Sequence, residues 1–303
     1  MTDDLVSVVV PTHYRNESLR ETLESVRRQT YDPVEVVVVD DSGEGHACTA
    51  VEDFDVTYIA HEDNQGANPA RNTGIRASSG RFVQLLDDDD RILPPKLEKQ
   101  VDLLSSSPDT GVVYGGVSTK TGDHVLPDSS CREDPLRCAL QILYPGTFPS
   151  SMLLERDILT RILPLRYRPA ADDIRWTIEL ARRTSFDHVD EVLTDIGRSD
   201  SHQSESIEFP MELRKIIREY DHLYERYPPE VRHAALGFMY QSLAMHTLDE
   251  RVWSPRAPIA YLKAAYHGGP VASSRPVLLA SAATSVFGRP GFELGSRVRE
   301  ALA

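Results

Sequence analysis

The sequence holds few cysteines, few lysines and no apolar run of bilayer length. Three cysteines in 303 residues cannot staple a small scaffold. Cys48 stands alone, and Cys131 and Cys138, six residues apart, match neither a zinc spacing nor a nucleophile signature, so ordinary thiols in a reducing, cytoplasmic setting are expected. The longest uncharged stretch near the end, 276–288 between Arg275 and Arg289, falls short of the roughly 20 residues of a membrane span. A signal peptide is not expected either, because the opening MTDDLVSVVVP is acidic where such a segment is basic. Glycine-rich phosphate loops of the P-loop or GxGxxG kind are missing after the first strand, which removes the common kinase and dinucleotide readings.

Charge is unbalanced. Lys and Arg total 33 against 47 Asp and Glu, a net charge of −14. Such a surface repels nucleic acid and anionic headgroups at long range, so an anionic ligand must be held by a local pocket or a metal. Lysine occurs only at 96, 99, 120, 215 and 263, leaving arginine to carry most positive charge. Arginine on an acidic background points to a salt-adapted, haloarchaeal proteome, with a GC-rich genome as the alternative. Apolar residues make up 40% of the chain, enough for a sizeable core.

From Leu5 to Leu86 short β-branched runs alternate with helical patterns, the signal of an α/β protein with a mainly parallel sheet. LVSVVV (5–10), VEVVVVDD (34–41), 56–60 and RFVQLL (81–86) read as strands. Leu19, Leu23 and Val26 place one apolar face on a helix over 17–29, with Asn16 as its cap. Further helices are expected over 68–77, from Pro94-Pro95 through Leu104, and over 174–183. Strands are expected at 111–119, 123–126, 185–189 and 192–196, and 128–148 reads mostly as loop with a short helix. After a polar loop at 197–206 only helical periodicities follow, broken at Pro228-Pro229, Pro255, Pro258, Pro270 and Pro290. The expected organisation is an α/β domain over 1–205, with halves 1–106 and 107–205, and a helical region over 206–303.

In open parallel sheets ligands bind outside the carboxyl ends of the strands. Three strand ends here offer polar groups: Pro11, Thr12, His13, Tyr14 and Arg15; Asp40 and Asp41; and the run Asp87, Asp88, Asp89, Asp90. Adjacent carboxylates repel one another, and a hard divalent cation relieves that while taking substrate phosphate oxygens as further ligands. A metal-bound nucleoside diphosphate suits this edge. Helix capping is the competing account for Asp40 and Asp41.

Several segments resemble, in order, the motifs of family 2 glycosyltransferases: LVSVVVPTHYR (5–15), SVRRQTY (25–31), VVVVDD (36–41), NQGANPARNTG (64–74) and LLDDDDRILPPKLEKQ (85–100). The resemblance implies a GT-A fold, a nucleotide-binding α/β half joined to an acceptor half, and inversion at the anomeric carbon. Carried over to this chain, it gives Thr12 and Asp41 contacts to uracil or another base with Asp40 beside them. Pro11 and Arg15 would lie at the same donor edge, and Arg71 would reach the nucleotide. Asp89 would be the main ligand of Mn²⁺ or Mg²⁺, Asp88 would meet the ribose or donor sugar, and Asp87 and Asp90 would stand in or just behind the metal's ligand set. The acceptor base of the family comes from an acidic pair opening a helix, which matches AADDIRWTIEL (170–180) and makes Asp173 the base and Asp172 its neighbour. Asp172 replaces the usual Glu, and His13-Tyr14 stands where the family has Tyr-Asn. His202 in RSDSHQSES would approach the metal or diphosphate, with Arg198 and Ser204 ordering the same loop. Trp176 is expected in packing. The expected partners are a nucleotide diphosphate sugar, UDP-linked first, and a glycan or lipid-linked, dolichol-type acceptor used in protein glycosylation or surface polysaccharide synthesis. Nucleic acid is excluded; peripheral contact with the cytoplasmic membrane face through 272–287 is an option, but that stretch lacks the dense basic face of a membrane-surface helix, which favours a buried helix of the helical region. A nucleotidyltransferase, or a non-catalytic sugar-nucleotide-binding scaffold, is the alternative.

Overall fold

The computed structural model describes residues 4–119, 121–142, 146–166, 170–197, 207–268 and 274–302. The chain divides into two compact units, one of Met1–Pro135, Tyr144–Tyr167 and Trp176–Asp200, the other of Leu136–Leu143, Arg168–Arg175 and Ser201–Ala303.

The first unit is built on one nine-stranded sheet. It begins β1 (Val6–Thr12), α1 (Asn16–Arg27), β2 (Val34–Asp40), β3 (Thr57–Ala60), α2 (Ala67–Ala77) and β4 (Phe82–Leu85). It continues through β5 (Arg91–Ile92), α3 (Lys96–Ser106), β6 (Thr110–Ser118) and β7 (His124–Val125). In chain order there follow α4 (Pro135–Leu140), of the second unit from Leu136 on, β8 (Met152–Glu155), α5 (Arg156–Thr160), α6 (Asp172–Ala181), of the second unit as far as Arg175, and β9 (Ser185–Asp195). Strand order is β3-β2-β1-β4-β8-β6-β9-β5, with β7 on β6. The β3-β2-β1-β4 block is parallel, as βα connections require, and β8 enters antiparallel between β4 and β6. Val6, Val8 and Val10 of β1 pack with Leu19, Leu23 and Val26 of α1 and Leu97, Val101 and Leu104 of α3 in one core. On the other side Val37 and Val39 of β2 meet Ala70 of α2. Gly74 lets that helix lie close, for a Cβ there would run into Val9. Pro11 falls past the β4 register, which ends at Leu85 opposite Val9, so its missing N–H costs no ladder bond on that side.

Several expectations are corrected. Asn16 is the first residue of α1 rather than its cap; the cap is Arg15, and the Asn16 side chain reaches the carbonyl and ring of His46 instead. The two strands expected over 185–196 are one, with Asp190 and Glu191 left out of the β6 register between Val189 and Val192. Cys131 and Cys138 are disulfide-bonded rather than free thiols, while Cys48 is free and exposed.

The second unit holds α7 (Glu208–Glu219), α8 (Asp221–Tyr224), α9 (Pro229–Glu250), α10 (Arg256–His267), α11 (Arg275–Ser285) and α12 (Gly288–Leu302). Pro258 and Pro290 sit inside the first turns of α10 and α12 and break neither, because a first-turn N–H has no intrahelical partner to lose. Small residues, Ala244, Ala257, Ala260, Ala264 and Ala282, form much of this core around Tyr261 and Leu278. Among the described residues no helix is long and apolar enough to cross a membrane.

Candidate active site at the strand ends

The carboxyl ends of β1, β2 and β4 lie side by side because these strands are parallel neighbours, and each ends in polar residues that nothing in the core could accept. At the end of β1 the Thr12 hydroxyl donates to Asp88 Oδ2 at 2.7 Å. Arg15 Nη1 lies 2.9 Å from Asp88 Oδ1 and 3.5 Å from Asp89 Oδ2. Between them, Tyr14 takes a left-handed backbone with φ of 57°, a strained conformation that turns the chain sharply off the strand. Burial pushes the Asp88 carboxyl up from its ordinary value, partly offset by Thr12 and Arg15.

The remaining acids of the run are held from other directions. Arg71, from α2, pairs with Asp87, donates to Asn68 Oδ1 at 3.1 Å and lies 5.2 Å over the Trp176 ring. Its Nε is buried without a partner. The Asp87 N–H donates to Ser150 Oγ at 3.1 Å, and Gly197 N–H donates to Asp90 Oδ1 at 2.5 Å. Asp90 is shifted upward, by burial first and by the negative charge of Asp87 next. A Cβ at Gly197 would collide with the Asp89 carbonyl, so only glycine fits against this turn. Behind it, the buried Lys96 ammonium has no carboxylate; it donates to Gln84 and, at 2.7 Å, to Gln100 Oε1, and burial pushes its pKa well down. Gln84 in turn donates to the carbonyls of Leu85 and Ser150.

At the end of β2, Asp40 and Asp41 divide. Asp40 is fully buried and accepts from Ser42 N, Ala47 N and the Tyr58 hydroxyl at 2.7–2.9 Å. Asp41 accepts from Gly66 N at 2.6 Å and Gln65 N at 3.0 Å, just ahead of α2, and lies 2.7 Å from His61 Nδ1. Asp172 and Asp173 open α6, at the positive end of its dipole. His202, Arg198 and Ser204 lie outside the described residues.

Thr12, Arg15, Arg71 and Asp87–Asp90 are thus gathered into one hydrogen-bonded set, whereas Asp40 and Asp41 are committed to shaping the adjoining loops. Sequence reasoning did not single out Ser150, Gly197 or His61. His61 carried a usable signal, standing directly after β3 at a fourth strand end. Ser150 and Gly197 carried none, being ordinary loop residues until the fold brings them to the turn.

The donor set suits a divalent cation. Asp87 and Asp89 offer hard carboxylate oxygens, their side chains 34% and 13% exposed, and Mg²⁺ or Mn²⁺ takes one or two such groups and completes its ligands with water and phosphate oxygen. Among the described residues no three His, Cys, Asp or Glu side chains form a ready cage. Two open clefts lie elsewhere, one of about 570 Å³ beside Arg20, Arg28 and Arg91 and one of about 580 Å³ walled by Phe209, Phe238 and Met245. Neither contains a residue of the acidic turn, so chemistry rather than cleft size selects the strand ends.

A model of the family described as Glycosyl transferase family 2 matches residues 7–163, from β1 past β8. The chain belongs to glycosyltransferase family 2. Similar members include a glucosyl-dolichyl phosphate glucuronosyltransferase of Haloferax volcanii, 38% identical over 118 residues that span 37% of this chain and 38% of that protein. Another is the UDP-Glc:alpha-D-GlcNAc-diphosphoundecaprenol beta-1,3-glucosyltransferase WfgD of Escherichia coli, 34% identical over 107 residues, 34% of this chain and 42% of WfgD. An uncharacterized glycosyltransferase of Haemophilus influenzae is 38% identical over 111 residues, again 36% and 38% of the two chains. The matched segments therefore span well under half of each relative. Solved structures extend the likeness to almost the whole chain. The mannosyltransferase PcManGT from Pyrobaculum calidifontis, in complex with GDP-Man and Mn²⁺, superposes with TM-score 0.59 at 20% identity, covering 96% of this chain and 83% of that one. S. aureus TarS 1–349 in complex with UDP-GlcNAc gives 0.57 at 15%, covering 98% and 92%. The fold is of the GT-A type, as the sequence motifs implied.

Proposed function

We propose that this family 2 member is a metal-dependent, inverting glycosyltransferase that moves a sugar from a nucleoside diphosphate sugar, UDP-linked, to a hydroxyl of a glycan or lipid-linked glycan. The observation that carries the reading is the set in which Arg15 and Arg71 pair with Asp87, Asp88 and Asp89 at the ends of parallel strands and leave negative charge in excess. Two guanidiniums at this edge suit a diphosphate, and the carboxylates suit the cation that accompanies it. Bound Mg²⁺ or Mn²⁺, held by Asp89 and Asp87, would supply electrostatic stabilisation of the leaving diphosphate. Thr12 and Asp88 orient the ribose or sugar beside it, and Asp41, by fixing residues 65 and 66, shapes the wall that meets the base. Asp173 takes the proton from the acceptor hydroxyl as that oxygen attacks the anomeric carbon. The bond from that carbon to the phosphate oxygen breaks, and the nucleoside diphosphate leaves from the opposite face.

The lipid-linked acceptor rests on the names of two relatives, one acting on a dolichyl phosphate sugar and one on a diphosphoundecaprenol sugar. Work on such an acceptor places the enzyme at the cytoplasmic membrane face, in protein glycosylation or surface polysaccharide synthesis.

The test is calorimetric titration of UDP, GDP and TDP into the protein with and without Mn²⁺ or Mg²⁺, followed by transfer assays. Metal-dependent binding of one nucleotide is expected. Asp173→Asn should retain that binding and lower transfer by about 10²–10⁴-fold, the usual contribution of base catalysis. Asp89→Ala should lose the metal-dependent part of binding. Unimpaired transfer by Asp173→Asn would remove the base assignment, and absence of any nucleotide binding by folded protein would remove the whole reading.

A further inference from the structure

The last 53 residues differ from the rest of the chain in charge and in surface. Residues 251–303 hold seven Lys and Arg against two Glu, leaving 26 against 45 acids in the first 250. Of the fifteen large apolar side chains exposed among the described residues, ten lie from Val252 to Leu294. An acidic protein thus carries one basic, apolar segment.

Two features of that segment carry most of its exposed apolar side chains. The first is a corner where the loop before α10 meets the turn before α12. Trp253 Nε1 donates to the Val286 carbonyl at 2.9 Å, and Arg289 N–H donates to the Val252 carbonyl at 2.8 Å. Gly288, at φ of 73°, lies so close that a Cβ would strike that same carbonyl. The corner is therefore tied in place while it holds Trp253 59% and Phe287 77% exposed, with Val252 and Val286 beside them. The second feature is the outer stripe of α10. Ile259, Leu262 and Tyr266 are exposed at three- and four-residue spacing, opposite the buried Ala257, Ala260, Tyr261 and Ala264. Arg256 and Lys263 flank that stripe, three residues before and four after Ile259. Among the described residues, Arg251, Arg256 and Arg275 are exposed and make no ion pair.

We infer that this basic, aromatic face of the helical unit docks the protein on an anionic lipid bilayer. A tryptophan whose N–H is already satisfied presents an apolar ring, which suits the boundary between headgroups and acyl chains. Unpaired arginines on long stems reach lipid phosphates while their neighbours insert, and the segment's positive charge complements an anionic leaflet where the remainder of the chain opposes it. A second copy of the chain fits less well, because two copies of this face would bring seven Lys and Arg of each chain together against only two Glu, and like charges repel. The inference deepens the lipid-linked-acceptor reading and rests on it for its biological sense, though the surface is tested without it.

The experiment is co-sedimentation of the full chain with phosphatidylcholine vesicles, with and without about 30% phosphatidylglycerol, at ~50 and ~500 mM NaCl. The wild type should sediment with anionic vesicles at low salt, at least ~10-fold more than with neutral ones, and less at high salt. Arg251→Glu/Arg256→Glu and Trp253→Ser/Phe287→Ser should each cut this by about tenfold with unchanged circular dichroism and unchanged nucleotide binding. Equal sedimentation with both vesicle types, none with either, or wild-type behaviour in both variants would overturn the inference. So would a dimer in solution that Trp253→Ser/Phe287→Ser dissolves, which would assign the face to a second copy. Loss of nucleotide binding with vesicle binding intact would count against the proposed reaction and leave the surface standing.

Discussion

Asp40 and Asp41 are adjacent, both buried, and employed differently. Asp40 has both oxygens filled from its own neighbourhood, and although burial works to raise its pKa, the N–H groups of Ala47 and Ser42 and the Tyr58 hydroxyl together hold it below the ordinary value. A folded pKa below the unfolded one means stability that is present above the unfolded value of about 3.9 and lost as pH falls through the folded value. Asp40→Asn should therefore cost about 1–3 kcal/mol at pH 7, from an amide facing donors, and the gap to wild type in urea unfolding should shrink as pH drops toward 3. At the acidic turn, Gly197→Ala should displace the Asp89 carbonyl and break the bond to Asp90. Its expected signature is a metal affinity for nucleotide binding reduced about tenfold or more, with stability lowered by about 1–3 kcal/mol, read by calorimetry and thermal melts.

Between elements, distances are set by which side chains are absent. Gly74 brings α2 against Val9 of β1, and the same helix carries Arg71 and Asn68 one and two turns earlier. Gly74→Ala should push α2 outward, destabilising by about 1–3 kcal/mol and weakening nucleotide binding more than a substitution on the exposed face of α2, such as Arg76→Ala. Calorimetry on the two variants decides it. The elements most legible in the sequence are those whose burial repeats: β1 and β2 as runs of valine, α1 and α3 as apolar faces. β5 is only Arg91–Ile92, too short for any period, and β8 is four residues that run straight into α5. β9 reads as two strands because Asp190 and Glu191 interrupt its alternation, and in the fold those are the bulged residues. The candidate site was legible where carboxylates directly follow an apolar strand. It was illegible where a support arrives from far along the chain, as Ser150 and Gly197 do, because a serine or glycine in a loop has no local reason to be noticed.

For the whole molecule, an excess of 14 negative charges opposes compaction, and the close arginine pairs at the acidic turn offset only part of it. Raising NaCl from ~50 to ~500 mM should increase the melting temperature by several degrees, about 2–4 °C per kcal/mol gained, in scanning calorimetry. A flat or falling melting temperature would mean that local ion pairs, which salt weakens, outweigh the global repulsion. The sheet also has an order in time. The bond from Gly197 to Asp90 spans 107 positions, and β8, which carries the segment holding Asp87, pairs with β4 from some 70 positions away. At about 5–20 residues added per second, the ribosome delivers Gly197 roughly 5–20 s after Asp90. Through that interval the nascent chain exposes four consecutive carboxylates without their last restraint, so the acidic turn is completed late in synthesis and a truncated amino-terminal half does not contain it whole.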